Sequence, residues 1–236
     1  MRLLVLCTLL AACEQRFVAP AVPELVAPSA PTGPLDVPAL VLVPNERLIW
    51  DVQLKGMTVG RAELVVGDDD TVRSEFHTTG LARTVAVVSH VLETDFDRVA
   101  ARPLHATEHL VDGGDETHLE TTFEPTRVLA GEHVLALPPG KVGHTLHTAL
   151  GVLRAWARPG ARPGYVYVVH AGELYELAVR EPVMEMLHGV HVLRVDGAIA
   201  SEKVTIQLWI TDDDRRVPLR IEVTSDDVHA VAELAG

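Results

Sequence analysis

Val204-Thr205-Ile206-Gln207-Leu208-Trp209-Ile210-Thr211 carries an apolar side chain at every second position. Such a period sends alternate side chains to opposite faces of a strand, with one face in the core. Asp212-Asp213-Asp214 has the chemistry of a turn, and Val217, Leu219, Ile221 and Val223 repeat the alternation on the way back. Ser225-Asp226-Asp227 turns again into Ala230 to Leu234. Pro218 belongs at an edge or in a strand's opening turn, because it lacks an amide donor.

Outward from this run the same grammar recurs. Leu48, Trp50, Val52 and Leu54 alternate, Gly56 to Gly60 reads as a turn, and Ala62, Leu64 and Val66 continue on the next strand. Asp68-Asp69-Asp70 turns into further strands expected over 71–79, 84–97, 104–111 and 117–123. Asp112-Gly113-Gly114-Asp115 is a hairpin loop by composition. Later strands are expected over 165–169, 174–180 and 190–195. One segment breaks the rule. Leu146, Ala149, Leu150, Leu153 and Ala157 follow a 3.6-residue period, Thr145 can cap the start, and Pro159-Gly160 stops it. The expected fold is mainly β: an antiparallel meander forming a strongly curved, half-open barrel, with one helix packed on it. Curvature follows because a flat open sheet of a dozen strands exposes its edges.

The N-terminus reads differently. Met1-Arg2, an apolar run from Leu3 to Leu9 and Leu10-Ala11-Ala12-Cys13 describe an export signal whose apolar stretch is too short to span a bilayer. The Leu-Ala-Ala-Cys tetrad resembles the bacterial lipobox. The resemblance implies cleavage after residue 12 and acylation of Cys13. Two or more acyl chains, at about 0.8 kcal/mol per buried methylene, anchor stably. The expected location is therefore the bacterial envelope, on the periplasmic face of the outer membrane since Glu14 rather than aspartate follows the cysteine. Residues 13–44 form a Pro-rich linker, with Pro20, Pro23, Pro28, Pro31, Pro34, Pro38 and Pro44, expected to be an extended spacer. The globular domain is expected over 45–236. Of the two cysteines, Cys7 would leave with the signal and Cys13 would carry the lipid, so the domain is expected to have no thiol for a disulfide or a thiolate metal site.

A net charge of −13 argues against nucleic acid, which calls for a basic footprint, and against adhesion to anionic headgroups.

A longer set of residues resembles an exported bacterial family, the domain of unknown function 3108. Asn45-Glu46-Arg47-Leu48-Ile49-Trp50-Asp51-Val52 with Gly56 and Val59-Gly60-Arg61-Ala62 is similar to its opening hairpin. Leu150-Gly151-Val152-Leu153-Arg154 through Pro163-Gly164 is similar to its helix and loop, and Leu208-Trp209-Ile210-Thr211-Asp212 with Arg215-Arg216-Val217-Pro218 to its closing segment. Histidine stands at 90 and 144, where the family's pattern has an acidic or polar turn residue. The resemblance covers about 45–235 and implies a β-rich envelope domain with no established activity.

No nucleophile elbow, phosphate loop or dinucleotide fingerprint is present. Ser89 and His90 are neighbours on a strand and point to opposite faces. Twelve histidines include the close pairs His105/His109, His144/His147 and His188/His191, but no His-Glu-x-x-His motif, so no metal or other cofactor is expected. The acidic triplets lack calcium-loop spacing and read as solvated turns. Trp209, Trp50, Leu146, Leu150, Leu153 and Arg154 are the residues expected to line a ligand face. The competing reading packs Trp209 under the helix stripe. The function expected is a lipid-anchored, non-catalytic envelope protein that holds an apolar small molecule or an envelope partner. The alternatives are a periplasmic hydrolase with a histidine and carboxylate site, and a purely structural interaction module.

Overall fold

The computed structural model describes residues 33–236 apart from Leu81 and Asp227; the signal, Cys13 and the first part of the linker lie outside them. The described residues form one curved, open sheet of sixteen strands with one main helix. The first eight strands are β1 (Arg47–Leu54), β2 (Met57–Val66), β3 (Thr71–Thr78), β4 (Val88–Asp97), β5 (Arg102–Asp112), β6 (Asp115–Phe123), β7 (Arg127–Ala130) and β8 (His133–Ala136). They follow one another as antiparallel hairpins. The remainder are β9 (Gly143–His144), β10 (Gly164–His170), β11 (Glu173–Val179), β12 (Val183–Leu187), β13 (Val190–Ile199), β14 (Val204–Thr211), β15 (Pro218–Thr224) and β16 (His229–Leu234). β16 returns to pair with β1. The first and last strands of the domain are thus neighbours at the middle of the sheet, and two wings spread from that seam: β1 to β8 on one side, β16 back to β9 on the other. β9 runs parallel to β10, an exception to the expected antiparallel order.

Local chemistry explains the turns. Lys55 and Gly56 both take positive φ, giving the two-residue hairpin that matches strand twist. The turn is therefore tighter than the 56–60 expected, and Met57 to Gly60 already belong to β2. Gly113 and Gly114 do the same between β5 and β6. The strand expected over 84–97 begins instead with a single helical turn, α1 (Ala82–Val85), and β4 starts at Val88. Pro218 opens β15, where no ladder donor is lost.

The long helix α2 (Leu146–Trp156) starts where expected. Thr145 caps it, and Thr145 and Thr148 form a reciprocal capping box. Leu153, Ala149, Trp156 and Ala157 pack with Val166, Leu177, Val195, Leu208 and Ile210 of the second wing. Val152 packs with Leu48, Trp50, Leu64, Val66 and Val72 of the first wing. The helix therefore lies in the concave face and touches both wings. Leu146 is 42% exposed and leaves the stripe.

The linker boundary at residue 44 requires correction. Residues 33–44 form a strap over the domain. Gly33 O and Leu35 N bond to the Tyr165 backbone at 3.1 and 2.8 Å, and Val41 N donates to Gly151 O at 3.1 Å. Leu40 and Leu42 are buried in the first-wing core. Proline spacing fits an extended strand of chain, but the leucines between the prolines gain more by burial than by a free spacer's entropy. Gly151 lets the strap approach: a Cβ there would meet Leu42 Cγ at 3.1 Å.

Candidate functional site

The two wings meet again opposite the β1–β16 seam, through side chains instead of a hydrogen-bonded ladder. Val128 of β7 and Leu137 pack on Val169 of β10. Beside this contact, Glu108 of β5 faces the interior with Ala106, because both share the inward parity of the strand. His90 of β4 has the parity of Leu92 and Thr94 and projects to the same side. His170 closes β10 with the parity of Val166 and Val168.

His90 Nε2 lies 2.7 Å from Glu108 Oε1. His170 Nδ1 lies 2.8 Å from the same oxygen, yet this buried nitrogen makes no hydrogen bond of acceptable geometry. The rings meet edge to face at 5.6 Å. The other carboxylate oxygen, Oε2, accepts from Ala171 N at 2.9 Å. The side chains are 14%, 11% and 19% exposed for His90, Glu108 and His170, so the cluster is sheltered but reachable. Burial acts to raise the Glu108 carboxyl. The imidazoles of His170 and His90 outweigh it and hold the group well below the usual carboxylate range.

Behind this trio stands His147, in the first turn of α2. Its Nδ1 is 3.0 Å from Thr94 Oγ1 and its Nε2 is 2.7 Å from Ser74 Oγ. Burial pushes its imidazole down to about 3, with His90 adding to the fall and Glu108 opposing it. A neutral ring donates through one nitrogen and accepts through the other, as two hydroxyls permit. His144 is buried too, pushed down to about 4 by desolvation, and its Nδ1 has no partner. Chemically, the site offers one carboxylate, two accessible imidazoles and a neutral imidazole locked between hydroxyls.

Four of the residues expected to form a ligand face, Trp50, Leu150, Leu153 and Arg154, lie in the packed interior, and Leu146 and Trp209 do not join them. Trp50 is buried in the first-wing core, and its Nε1 donates to Pro218 O at 3.0 Å. Leu153 is core and Leu150 bridges the two wings. Arg154 is fully buried. It holds Glu46, also fully buried, in a bidentate pair at 2.7 and 3.1 Å. It also donates to the carbonyls of Arg216 and Arg215 at 2.9 and 2.7 Å. Trp209 is not packed under the helix either. It points to the face opposite Leu208, where its Nε1 donates to Glu185. There Arg220 stacks over its ring at 5.3 Å. A cavity of about 370 Å³ is lined by Gly33 to Asp36, Trp156, Arg158 and Gly160 to Pro163, and none of the six expected residues is in its wall.

The histidine pairs picked out by spacing are also apart from the site, His147 excepted. His109 pairs with Glu116 at 2.7 Å on the surface, and His188 is 75% exposed. The acidic triplets are turns: Asp213 Oδ1 accepts from Thr211 Oγ1 at 2.8 Å and from the Arg215 and Arg216 amides, each at 3.0 Å. The trio His90, Glu108 and His170 has no short spacing that could announce it. Its one sequence signal is a carboxylate at an inward position of an alternating strand.

No family model matches the chain, and no curated protein matches it. Among solved structures it is similar to a beta-barrel-like protein of the domain of unknown function DUF1849 from Brucella abortus, with a TM-score of 0.57 and 13% sequence identity. That match covers 82% of this chain and 97% of the other. A DUF1089 family protein from Pseudomonas aeruginosa aligns with a TM-score of 0.43 and 12% identity, over 75% of this chain and 91% of that one. At such identity the DUF1849 likeness is one of fold, and the fold is an incompletely closed, barrel-like sheet.

Proposed function

We propose that this chain is a lipid-anchored envelope protein, related to the exported domain of unknown function 3108, whose β domain engages an envelope partner without catalysis. The course of residues 33–44 carries this reading. The chain arriving from the Cys13 side is pinned across the concave face, with Leu40 and Leu42 in the core. The domain thereby takes up its tether at a fixed point, Gly33, and the nineteen residues between Cys13 and Gly33 allow a reach of at most about 60 Å at about 3 Å each. The helix and strap also occupy the concave face that an acyl chain would need, which favours a protein partner over an apolar cargo. An outer-membrane, periplasm-facing location fits Glu14 after the cysteine.

Labelled palmitate tests the tether. The parent should incorporate label and sediment with membranes, and Cys13→Ser should do neither; equal labelling of the two would overturn the proposal. Mass spectrometry of the natively purified protein tests the partner assignment, since a stoichiometric lipid would reinstate the carrier reading. The convergence of His90, Glu108 and His170 supports a second reading, the hydrolase. Ester hydrolysis that Glu108→Gln abolishes would favour it.

A further inference from the structure

We infer that His90, Glu108 and His170 form a binding site for a divalent transition-metal ion of the zinc class, which staples the two wings of the open barrel together. The inference does not depend on the tether. Among the described residues, these three alone form a group whose ligand atoms all lie within 4.8 Å of one another. Two imidazoles and one carboxylate are a known zinc donor set that leaves a fourth position for water or substrate. Imidazole donors also favour such an ion over magnesium or calcium, which take oxygen.

The geometry is close to what an ion would need. Tetrahedral bonds of about 2.0–2.1 Å place ligand atoms about 3.3 Å apart. The two nitrogens now stand 2.7 and 2.8 Å from Glu108 Oε1, so an outward movement of about half an ångström admits the ion. The unsatisfied Nδ1 of His170 is aimed into the site without a proton partner to lose. The Ala171 amide fixes Oε2 and leaves Oε1 free to ligate, the kind of outer support that metal-bound carboxylates have.

His90 and Glu108 belong to the first wing and His170 to the second. No backbone ladder joins β5 to β10. A bound ion would therefore link elements that no backbone ladder joins, and its binding free energy would add to the stability of the fold.

The full chain, purified in detergent and stripped with a chelator, is titrated with Co(II) and followed by visible absorption. One equivalent should bind with the intense bands of a four-coordinate site. Zn(II) should displace it and raise the thermal midpoint by about 5–10 °C at a hundredfold excess over Kd. His90→Ala and His170→Ala should each weaken Co(II) binding by about a hundredfold or more and remove the thermal shift. His188→Ala and His109→Ala should leave both unchanged. Absence of saturable one-to-one binding by the parent chain would overturn the inference. So would binding that persists undiminished in folded His90→Ala and His170→Ala proteins.

Discussion

Arg154 and Glu46 illustrate how much one buried pair can hold. Neither is exposed at all, and the guanidinium also satisfies two carbonyls of the β14–β15 turn. Arg154→Ala leaves the buried Glu46 carboxylate with only Arg215 Nη2 at 3.5 Å, so it should cost about 3–5 kcal/mol in urea unfolding followed by tryptophan fluorescence. A Glu46→Leu/Arg154→Met double variant should recover part of that loss, and the carbonyls of Arg215 and Arg216 would keep it from recovering all. His147 makes the fold acid-sensitive. In the unfolded chain its imidazole takes a proton near pH 6.5, and in the folded chain only near pH 3. Between those values the unfolded state binds more protons, so stability is complete above about pH 6.5 and declines as the pH falls toward 3. Glu108, held low by its imidazoles, adds to the loss below about pH 4.5. Urea midpoints measured from pH 7 to pH 4 should fall, and His147→Gln, which can still bond both hydroxyls, should give a shallower slope.

The strap and α2 work as one unit. The helix has its own signals, a Thr cap and an apolar stripe, but Val152, on the face turned to the first wing, packs with Leu40 and Leu42. Leu42 is 1% exposed, so Leu42→Ala should cost about 2–5 kcal/mol and open residues 33–44 to proteases, read by limited proteolysis. The sequence reading ends the linker at Pro44 because prolines dominate its composition. Composition describes backbone stiffness and says nothing of which leucine finds a partner, so the docking of this segment was not legible. The start of the helix, by contrast, was readable to the residue, since capping is local.

At the scale of the whole molecule, the described part of the domain includes the strap. A chain starting at Gly33 should unfold at the same urea concentration as the full chain. One starting at Asn45 should lose several kcal/mol, given about 1.5–3 kcal/mol for each large apolar side chain re-exposed; denaturation curves of the two truncations decide it. The three segments that carry the family resemblance, far apart in sequence, also converge at this scale: Glu46 on Arg154, Arg154 on the Arg215 and Arg216 carbonyls, and Trp50 on Pro218. Their order in the chain was visible, whereas their purpose as one buried junction was not. The ligand face drawn through Trp50, Leu150, Leu153 and Arg154 is this junction and its surrounding core.

Alternating apolar residues, turn chemistry and one 3.6-residue stripe determined an antiparallel sheet with one long helix, because those patterns act between residues a few positions apart. The meeting of the wings was decided only by the tertiary structure. His90 and Glu108 share the β4–β5 hairpin, but His170 sits on the other wing, and its approach depends on the accumulated curvature of the whole sheet, a quantity that no local window contains.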